Sequence, residues 1–404
     1  MANTERLYYS SPDLFETEAT VLAVEGESLS PLLELEASIF YPEGGGQSCD
    51  LGTIAGLELL QVTEAEGRIL HALKGPLPPE LALKAGQRVT LAVDRARRLD
   101  YSQQHSAQHL LSATFLRLIG APTVSVHLGR ELCLIDFGVP AIPDEDIAEA
   151  EALVERAIAE DRAILVHCCP PEDLSSFALR KRPPEGEEVV RIVEIEGIDL
   201  TPCCGTHVAS AGRLRLVRVL GTERYKGMTR LSFLAGGRAA ADYRAVSLIA
   251  RGASRALSTS VPELPAAVAR ESELRKALER SNLALLRERA ALEAASALAA
   301  AGGKGALVSR RRGDRDAASL MESAKALTSL GATALLASIS ELTVQALAPS
   351  GESRLGERLG PLLSGCAGRG GGGANSFRAV FPDAGSLEAF MGEAERLLNG
   401  ASPD

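Results

Sequence analysis

The feature that most constrains this chain is a pair of histidines four residues apart, in the stretch His105-Ser-Ala-Gln-His109. On a helix, residues four apart lie above one another on one face, so these imidazoles can converge on a single point. A distant stretch, Cys203-Cys204-Gly-Thr-His207, can supply a thiolate and a third imidazole to that point. Three imidazoles and one thiolate form a ligand set that tetrahedral zinc prefers. The two motifs therefore predict one Zn²⁺ per chain, bound by His105, His109, Cys203 and His207.

Three details of these motifs bear on that prediction. A lone histidine on a helix is more often a hydrogen-bonded residue than a ligand, but three of the six histidines of the chain fall in these motifs. The glutamate of the zinc-protease motif H-E-x-x-H is absent, because Ser106, Ala107 and Gln108 separate the two histidines. Cys203 and Cys204 are adjacent, so the sequence leaves open which thiolate binds the metal.

Composition and charge exclude several other classes of protein. A chain of 404 residues exceeds one compact core, which predicts roughly two to four domains. The net charge of −10 disfavours non-specific nucleic-acid binding, so a contact with nucleic acid must use local basic clusters. There is no signal-peptide pattern and no long apolar run, which predicts no membrane span. Seven cysteines, partly in adjacent pairs, do not match a secreted disulfide framework, so we expect a cytoplasmic protein.

Three motifs follow one another along the middle of the chain. They are Arg98-Leu-Asp-Tyr-Ser-Gln-Gln-His105-Ser-Ala-Gln-His109, then Thr123-Val-Ser125-Val-His127-Leu-Gly129 with Ile135-Asp136-Phe137, then Cys203-Cys-Gly-Thr-His207-Val. Their order and spacing resemble the editing domain of alanyl-tRNA synthetases and of the free-standing AlaX alanyl-tRNA editing proteins. The resemblance implies a free-standing, long-form AlaX protein, because the segment before Tyr41 is too short for an aminoacylation domain.

Residues 1–92 are predicted to form a small β-barrel with a glycine-rich loop. Runs with partial period-two alternation, such as 18–24 and 88–93, are separated by turns. The loop reads Tyr41-Pro-Glu-Gly-Gly-Gly-Gln47, and its glycines allow the backbone to approach a ligand closely. A tight turn that only needs positive φ would show the same composition. The loop also resembles the glycine-rich loop of AlaX proteins, which implies that Gln47 faces the aminoacylated end of tRNA.

Residues 93–240 are predicted to form an α+β editing domain that carries the metal. Its strand from Thr123 to His127 projects the hydroxyls of Thr123 and Ser125 on one face. A pocket that hydrogen-bonds the hydroxyl of serine can reject alanine, because an unpaired buried polar group is costly. The resemblance implies that Thr123, Ser125 and Arg230 belong to the catalytic site together with Gln47.

Two further stretches of this domain carry their own predictions. Residues 163–169 are predicted to form a buried strand, in which core burial accounts for Cys168 and Cys169 better than metal binding does. The short basic loop Arg180-Lys181-Arg182 is either a phosphate contact or an ordinary surface turn.

The remaining chain is predicted to contain a helical connector, 241–301, and a small α/β domain, 302–404. Leu278, Leu285 and Leu292 fall seven residues apart, which leaves open a homodimer through this connector or through the C-terminal domain. The C-terminal segment resembles the C-terminal domain of alanyl-tRNA synthetases. The chain's closest approach to a basic patch lies there, and a solvated surface explains it equally well: Arg310, Arg311, Arg312 and Arg315.

Taken whole, the resemblance implies an α+β hydrolase that cleaves the ester of mischarged Ser-tRNA(Ala), and also of Gly-tRNA(Ala). Its partner would be tRNA(Ala), and Ala-tRNA(Ala) would stay intact. Two alternatives remain at this point. One is threonyl-tRNA-type editing of Ser-tRNA(Thr), and the other is a non-catalytic tRNA-binding protein with a zinc ion.

Overall fold

A computed structural model of the protein describes residues 4–26, 31–75, 83–183, 186, 188–349 and 353–400. The chain divides into two compact units, Met1–Gly252 and Ala253–Asp404. Each unit contains both helices and strands, which confirms the mixed α+β class predicted from the sequence. The finer division into four segments stays a prediction.

The first part of the first unit is built from short strands. Its elements are β1 (Glu5–Arg6), α1 (Leu7–Ser10), β2 (Glu16–Glu25), β3 (Leu32–Leu35), β4 (Ala37–Ser38), β5 (Gly52–Ile54), β6 (Leu57–Ala65), β7 (Arg68–Leu73) and β8 (Arg88–Val93). Six of these strands form a closed barrel in the order β2-β3-β7-β6-β5-β8. Alternate residues of β7 and β8 are buried, as period two requires, and Leu33, Ile54 and Val62 are fully buried in the barrel core.

The second part of the first unit surrounds one long helix. Its elements are α2 (Arg95–Ile119), β9 (Thr123–Leu128), β10 (Cys133–Phe137), α3 (Asp144–Ala159), β11 (Ile164–Cys169), β12 (Val190–Ile195), β13 (Asp199–Pro202), β14 (Val217–Tyr225), β15 (Met228–Ala235) and the residues up to Gly252 of α4 (Gly236–Ala256). The strands form a four-stranded sheet, β14-β15-β10-β9, and a three-stranded sheet, β11-β12-β13.

Both ends of α2 are fixed by local interactions. The Asp94 carboxylate accepts a hydrogen bond of 3.1 Å from the backbone N–H of Arg97, which caps the first turn. Gly120 ends the helix in the left-handed region with a φ of 65°, where glycine has no Cβ penalty. The helix begins at Arg95, directly after the Asp94 cap.

The prediction of a buried strand at 163–169 is partly wrong. The strand exists as β11, but Leu165 is 47% exposed and Cys168 is exposed, while Cys169 is buried. The physical reason is that β11 is an edge strand, paired on one side with β12. Core burial therefore explains Cys169 and does not explain Cys168.

The second unit packs helices on a five-stranded sheet. Its elements are α5 (Leu264–Ala300), β16 (Leu307–Arg312), α6 (Ala317–Ser329), β17 (Thr333–Ser338), β18 (Thr343–Leu347), α7 (Leu355–Leu359), α8 (Leu362–Gly365), β19 (Arg369–Gly372), β20 (Ser376–Val380) and α9 (Ala384–Leu398). The sheet order is β16-β17-β18-β20-β19, with β16 and β17 parallel. Leu278, Leu285 and Leu292 on α5 are 61–75% exposed, and the dimer through this helix stays a prediction. None of the helices in the described ranges is long and apolar enough to cross a membrane.

Candidate metal centre

Helix α2 carries two functionally different faces. Leu111 and Phe115 are fully buried in the main core of the first unit, together with Ile135 of β10. His105 and His109 lie on a neighbouring face, which is turned toward β13 and the loop that follows it. The same helix thus anchors the site in the core and presents two imidazoles to the loop.

The loop after β13 completes a group of four side chains that could hold a metal ion. The ligand atoms of His105, His109, Cys203 and His207 all lie within 4.8 Å of one another. The Cys203 Sγ is 3.4 Å from the Nε2 atoms of both His105 and His207. In tetrahedral zinc sites, bond lengths of about 2.0–2.3 Å separate the ligand atoms by roughly 3.5 Å, so the spacing fits. These four residues are called the metal cluster below.

The geometry also separates the two adjacent cysteines. Cys204 is exposed and does not belong to the group of converging ligand atoms, whereas the Cys203 thiol points to the imidazoles. The backbone N–H of Gly205 donates to the Cys203 Sγ at 3.4 Å, as expected for a thiolate. Among the described residues, the arrangement therefore favours Cys203 as the sulfur ligand.

Each imidazole of the metal cluster is held through its outer nitrogen. The Nδ1 of His105 lies 2.8 Å from the Gln47 Oε1, and the Nδ1 of His109 lies 3.0 Å from the Asp199 Oδ2. The Nδ1 of His207 lies 3.0 Å from the Ser106 Oγ. These bonds leave the three Nε2 atoms for a metal and fix the ring orientations, as partners of metal-binding histidines commonly do.

Asp199 lies beside the metal cluster, and the sequence did not reveal its contact with His109. Its carboxylate is fully buried and also accepts two hydrogen bonds from the Arg180 guanidinium, at 2.6 and 3.1 Å. Burial alone would raise the pKa of this carboxyl, but the bonds from His109 and Arg180 outweigh burial and lower its pKa. Arg180 therefore connects the basic loop to the metal cluster through Asp199. In the sequence, Arg180 stood out only as a member of the basic run Arg180-Lys181-Arg182.

Gly205 is required by the closeness of the loop to the helix. A Cβ at this position would lie 2.1 Å from the Cε1 and 2.2 Å from the Nδ1 of His105. Such distances are far below van der Waals contact, so only glycine fits between Cys203 and the His105 ring.

Burial acts on the protonation states of His105, His207 and Cys203. It lowers the pKa of His105 to about 3, with the positive charges of Arg191 and Lys181 acting in the same direction. It also lowers the pKa of His207, helped by the neighbouring imidazoles. Burial raises the pKa of the Cys203 thiol, but His109, the Gly205 N–H and Arg191 outweigh burial and lower it. Neutral imidazoles and a thiolate are the forms that bind Zn²⁺.

Arg191 holds the loop from the side of β12. It is buried, and its guanidinium donates to the backbone carbonyls of Cys203 at 2.7 Å and Gly205 at 3.0 Å. It also lies over the ring of Tyr9, 5.0 Å from the centroid. The backbone of the ligand loop is therefore fixed independently of the imidazoles.

The glycine-rich loop reaches the metal cluster through Gln47. This side chain is 1% exposed, and its Nε2 donates to the Thr206 Oγ1 at 2.9 Å while its Oε1 accepts from His105. The loop is tied to α2 by an ion pair between Asp50 and Arg98, both 2% exposed. Gly46, at a φ of 83°, packs against the backbone of Val126 on β9. The glycine-rich loop thus turns the chain and also contacts the metal cluster, α2 and β9.

The other three predicted catalytic residues lie on the four-stranded sheet. Asp136 accepts from the Ser125 hydroxyl at 2.6 Å and from the Arg230 guanidinium at 2.7 and 2.9 Å. Arg230 also stacks on Tyr225, 3.4 Å from the ring centroid. Ser125, Asp136 and Arg230 are called the sheet cluster below. The Thr123 hydroxyl donates to the Ser112 Oγ of α2 at 2.8 Å.

No hydrogen bond or ion pair among the described residues joins Thr123, Ser125 or Arg230 to the metal cluster. The link between the two groups runs through the backbone. Gln47 pairs with Leu128 at the end of β9, and the Leu128 N–H donates to the Gly46 carbonyl at 3.0 Å. The catalytic roles of Thr123, Ser125 and Arg230 therefore stay predictions.

Comparison with known proteins relates this geometry to proteins that act on tRNA. A family described as "Threonyl and Alanyl tRNA synthetase second additional domain" matches residues 190–232, which include Cys203 and His207. The alanyl-tRNA editing protein Aarsd1 of Danio rerio is 34% identical over 64% of this chain and 62% of its own length. Aarsd1 of Mus musculus is 33% identical over 70% of this chain and 68% of its own length. The alanyl-tRNA editing protein AlaX-L of Pyrococcus horikoshii is 34% identical over 60% of this chain and 59% of its own length. The chain thus spans less than two thirds of the Danio rerio relative.

Proposed function

The chain belongs to the alanyl-tRNA editing protein family, and we propose that it hydrolyses the ester bond of Ser-tRNA(Ala), and of Gly-tRNA(Ala), while sparing Ala-tRNA(Ala). The observation that carries this proposal is the convergence of His105, His109, Cys203 and His207 beside the glycine-rich loop. The proposed partner is tRNA(Ala), and the proposed place of action is the cytoplasm, where aminoacyl-tRNA is used.

The proposed cofactor is one Zn²⁺ per chain. Three imidazoles and one thiolate are donors that zinc prefers, and their spacing suits tetrahedral coordination. When bound, zinc would supply Lewis acidity or orient the terminal ribose and amino group of the substrate. The chain's own residues hold the ligands in place: Gln47 orients His105, Asp199 orients His109, and Ser106 orients His207.

The proposed selectivity for serine depends on hydroxyl groups of β9. The Ser125 hydroxyl donates its hydrogen bond to Asp136. Its oxygen therefore keeps a lone pair that can accept a hydrogen bond from the hydroxyl of a seryl group. Thr123 has the same capacity, because its proton is donated to Ser112. Arg230 fixes Asp136 and thereby the orientation of Ser125. An alanyl group offers no such proton, so its ester would gain less from this surface.

A deacylation assay on four substrates tests the proposal. The intact protein is incubated with Ser-tRNA(Ala), Gly-tRNA(Ala), Ala-tRNA(Ala) and Ser-tRNA(Thr), each with a labelled amino acid. We expect hydrolysis of Ser-tRNA(Ala) at least about a hundredfold faster than that of Ala-tRNA(Ala). Faster hydrolysis of Ser-tRNA(Thr) than of Ser-tRNA(Ala) would support threonyl-tRNA-type editing instead. Binding of tRNA(Ala) without hydrolysis of any substrate would reduce the protein to a zinc-containing tRNA-binding protein.

The adjacent cysteines provide a matched pair of variants for this assay. Cys203→Ser removes the proposed sulfur ligand, so we expect loss of zinc and of deacylation. Cys204→Ser changes the neighbouring thiol, which lies outside the metal cluster, and we expect both properties to persist. The reverse result would assign the ligand to Cys204.

A further inference from the structure

A cavity in the second unit lies between α5, α6 and the first two strands of the sheet. Its volume is about 150 Å³. One wall is apolar and includes Leu320, Leu327, Leu336 and Ala294, which belong to a buried hydrophobic cluster. An apolar cavity of about this volume can hold a group of the size of benzene. The cavity is therefore large enough for a small apolar moiety.

The alternation of strand β16 directs two arginines of the basic run into this cavity. Successive side chains of a strand point to opposite faces, so Arg310 and Arg312 share one face and Arg311 takes the other. Arg310 and Arg312 line the cavity. Arg311 binds Glu388 and Glu395 of α9 instead. The four arginines therefore do not form one surface patch.

Arg315 adds a third guanidinium to the cavity lining. It is 4% exposed, and its Nε has no hydrogen-bond partner among the described residues, with the Asp314 Oδ2 at 3.7 Å, beyond hydrogen-bond distance. Its terminal nitrogen holds both carboxylate oxygens of Glu293 at 2.7 Å. A buried arginine with an unpaired donor is costly, so this side chain leaves hydrogen-bonding capacity unused.

The charges around the cavity do not balance. Glu293 is the one carboxylate among the described residues that line it, against the guanidinium groups of Arg310, Arg312 and Arg315. Glu293 is already bound by Arg315 and Arg289 and lies 3.6 Å from Arg312. Arg310 has no ion pair with any residue that the structure describes. The cavity thus combines an excess of positive charge with an apolar wall.

We propose that this cavity binds a small organic anion, with its carboxylate or phosphate on Arg310 and Arg312 and an apolar group of about benzene size against Leu320, Leu327 and Leu336. Guanidinium groups bind such oxyanions through charge-assisted hydrogen bonds, and the leucines exclude water from the apolar group. Binding at this site is separate from the proposed deacylation, so either can fail without the other.

Titration calorimetry of the full chain with phenyl phosphate tests the site. We expect one site that binds phenyl phosphate at least about tenfold more tightly than inorganic phosphate and benzyl alcohol, because each of these lacks one half of the complementarity. Equal binding of phenyl phosphate and inorganic phosphate would overturn the proposal, since it would show that the apolar wall contributes nothing.

Two arginine variants locate the binding. Arg310→Gln should weaken phenyl phosphate about tenfold or more and should fold normally, because this side chain makes no described ion pair. Arg311→Gln is the matched control from the opposite face of β16 and should bind as the unchanged protein does. Ala294→Leu fills the cavity without changing its charge and should abolish binding. Equal losses in Arg310→Gln and Arg311→Gln would show that the ion binds elsewhere.

Discussion

The metal cluster and the sheet cluster are both polar groups of the first unit, but they are built differently. In the metal cluster, side chains from α2 and the loop after β13 converge, and each outer imidazole nitrogen is bonded to another side chain. In the sheet cluster, strand register sets Ser125 and Arg230 on either side of Asp136. The three histidines of the metal cluster are buried and Cys203 is half-buried, whereas Ser125 is exposed. The side chains of the metal cluster are held by hydrogen bonds to other side chains, whereas the Ser125 hydroxyl of the sheet cluster lies at the surface.

The largest effect is expected from Gly205→Ala, which disrupts the metal cluster and leaves the sheet cluster unchanged. The added Cβ would lie 2.1 Å from the His105 ring, so the ring or the loop must move and the ligand set is broken. We expect loss of zinc and loss of deacylation, measured by metal analysis and by the Ser-tRNA(Ala) assay. Gly221→Ala, where a Cβ meets nothing within 4 Å, is the matched control. Retention of zinc by Gly205→Ala would contradict the described packing.

In the metal-free protein, acid should lower the folding stability through the buried histidines at a higher pH than through the sheet cluster. The folded-state pKa is lowered to about 3 for His105 and to about 4 for His71 of the barrel, mainly by burial, against about 6.5 when unfolded. The unfolded chain therefore binds more protons below pH 6.5, and stability falls as the pH falls from 6.5 toward 4. Each histidine should cost about 2 kcal/mol between pH 7 and pH 5.

The sheet cluster responds to acid with the same sign as the histidines, but in a lower pH window. The hydrogen bonds from Arg230 and Ser125 lower the pKa of Asp136 although burial opposes them, so its contribution persists above its ordinary value of 3.8. That contribution is lost only as the pH falls through the still lower folded-state pKa.

Urea unfolding in chelator at pH 7, 6 and 5 measures the histidine effect. A stability that does not change over this range would show that these imidazoles are accessible to protons.

A smaller effect is expected from Asp199→Asn, which removes the charge that orients His109. Loss of a partner of a metal-binding histidine typically weakens metal affinity by about 10–100-fold. We expect that decrease in a competition titration with a chelator, and recovery of deacylation when excess zinc is added. Glu194→Gln is the matched control, because it removes the carboxylate beside His167, a histidine outside the metal cluster. Unchanged affinity in Asp199→Asn would show that the Asp199 charge does not contribute to metal binding through His109.

The smallest effect is expected from Ser125→Ala, which changes the sheet cluster and leaves the metal cluster intact. We expect kcat/KM for Ser-tRNA(Ala) to fall about tenfold, because one hydrogen bond to the seryl group is lost, while zinc content stays the same. Ser232→Ala, which removes a hydroxyl from neighbouring strand β15, should have no effect. Equal kinetics of Ser125→Ala and the unchanged protein would remove Ser125 from the proposed site.

The metal cluster was predictable because its information is local. The four-residue spacing of His105 and His109 places them on one helical face, and Cys203 and His207 share one short loop. The α+β class followed from period-two runs beside the helical stretch. By contrast, the roles of Asp199 and Ser106 depend on which elements lie side by side, and no sequence spacing encodes that.

The sheet cluster shows the same limit. The alternation of side chains along a strand predicts that those of Thr123 and Ser125 point to the same face of β9. The Thr123 hydroxyl instead bonds to Ser112 of α2, whereas the Ser125 hydroxyl bonds to Asp136. The register shift beside Asp136 separates the two hydroxyls, and a bulge of this kind has no signature in the sequence. Exposure of Cys168 also depends on β11 being an edge strand, which is a property of the assembled sheet.

The most direct test of the central claim measures metal content and deacylation in the same samples. The protein is titrated with a zinc chelator, and bound zinc and the rate of Ser-tRNA(Ala) hydrolysis are recorded at each step. If His105, His109, Cys203 and His207 hold one zinc ion on which the proposed activity depends, hydrolysis falls in proportion to zinc and returns when zinc is restored. Full hydrolysis by protein that has lost all its metal would contradict the account.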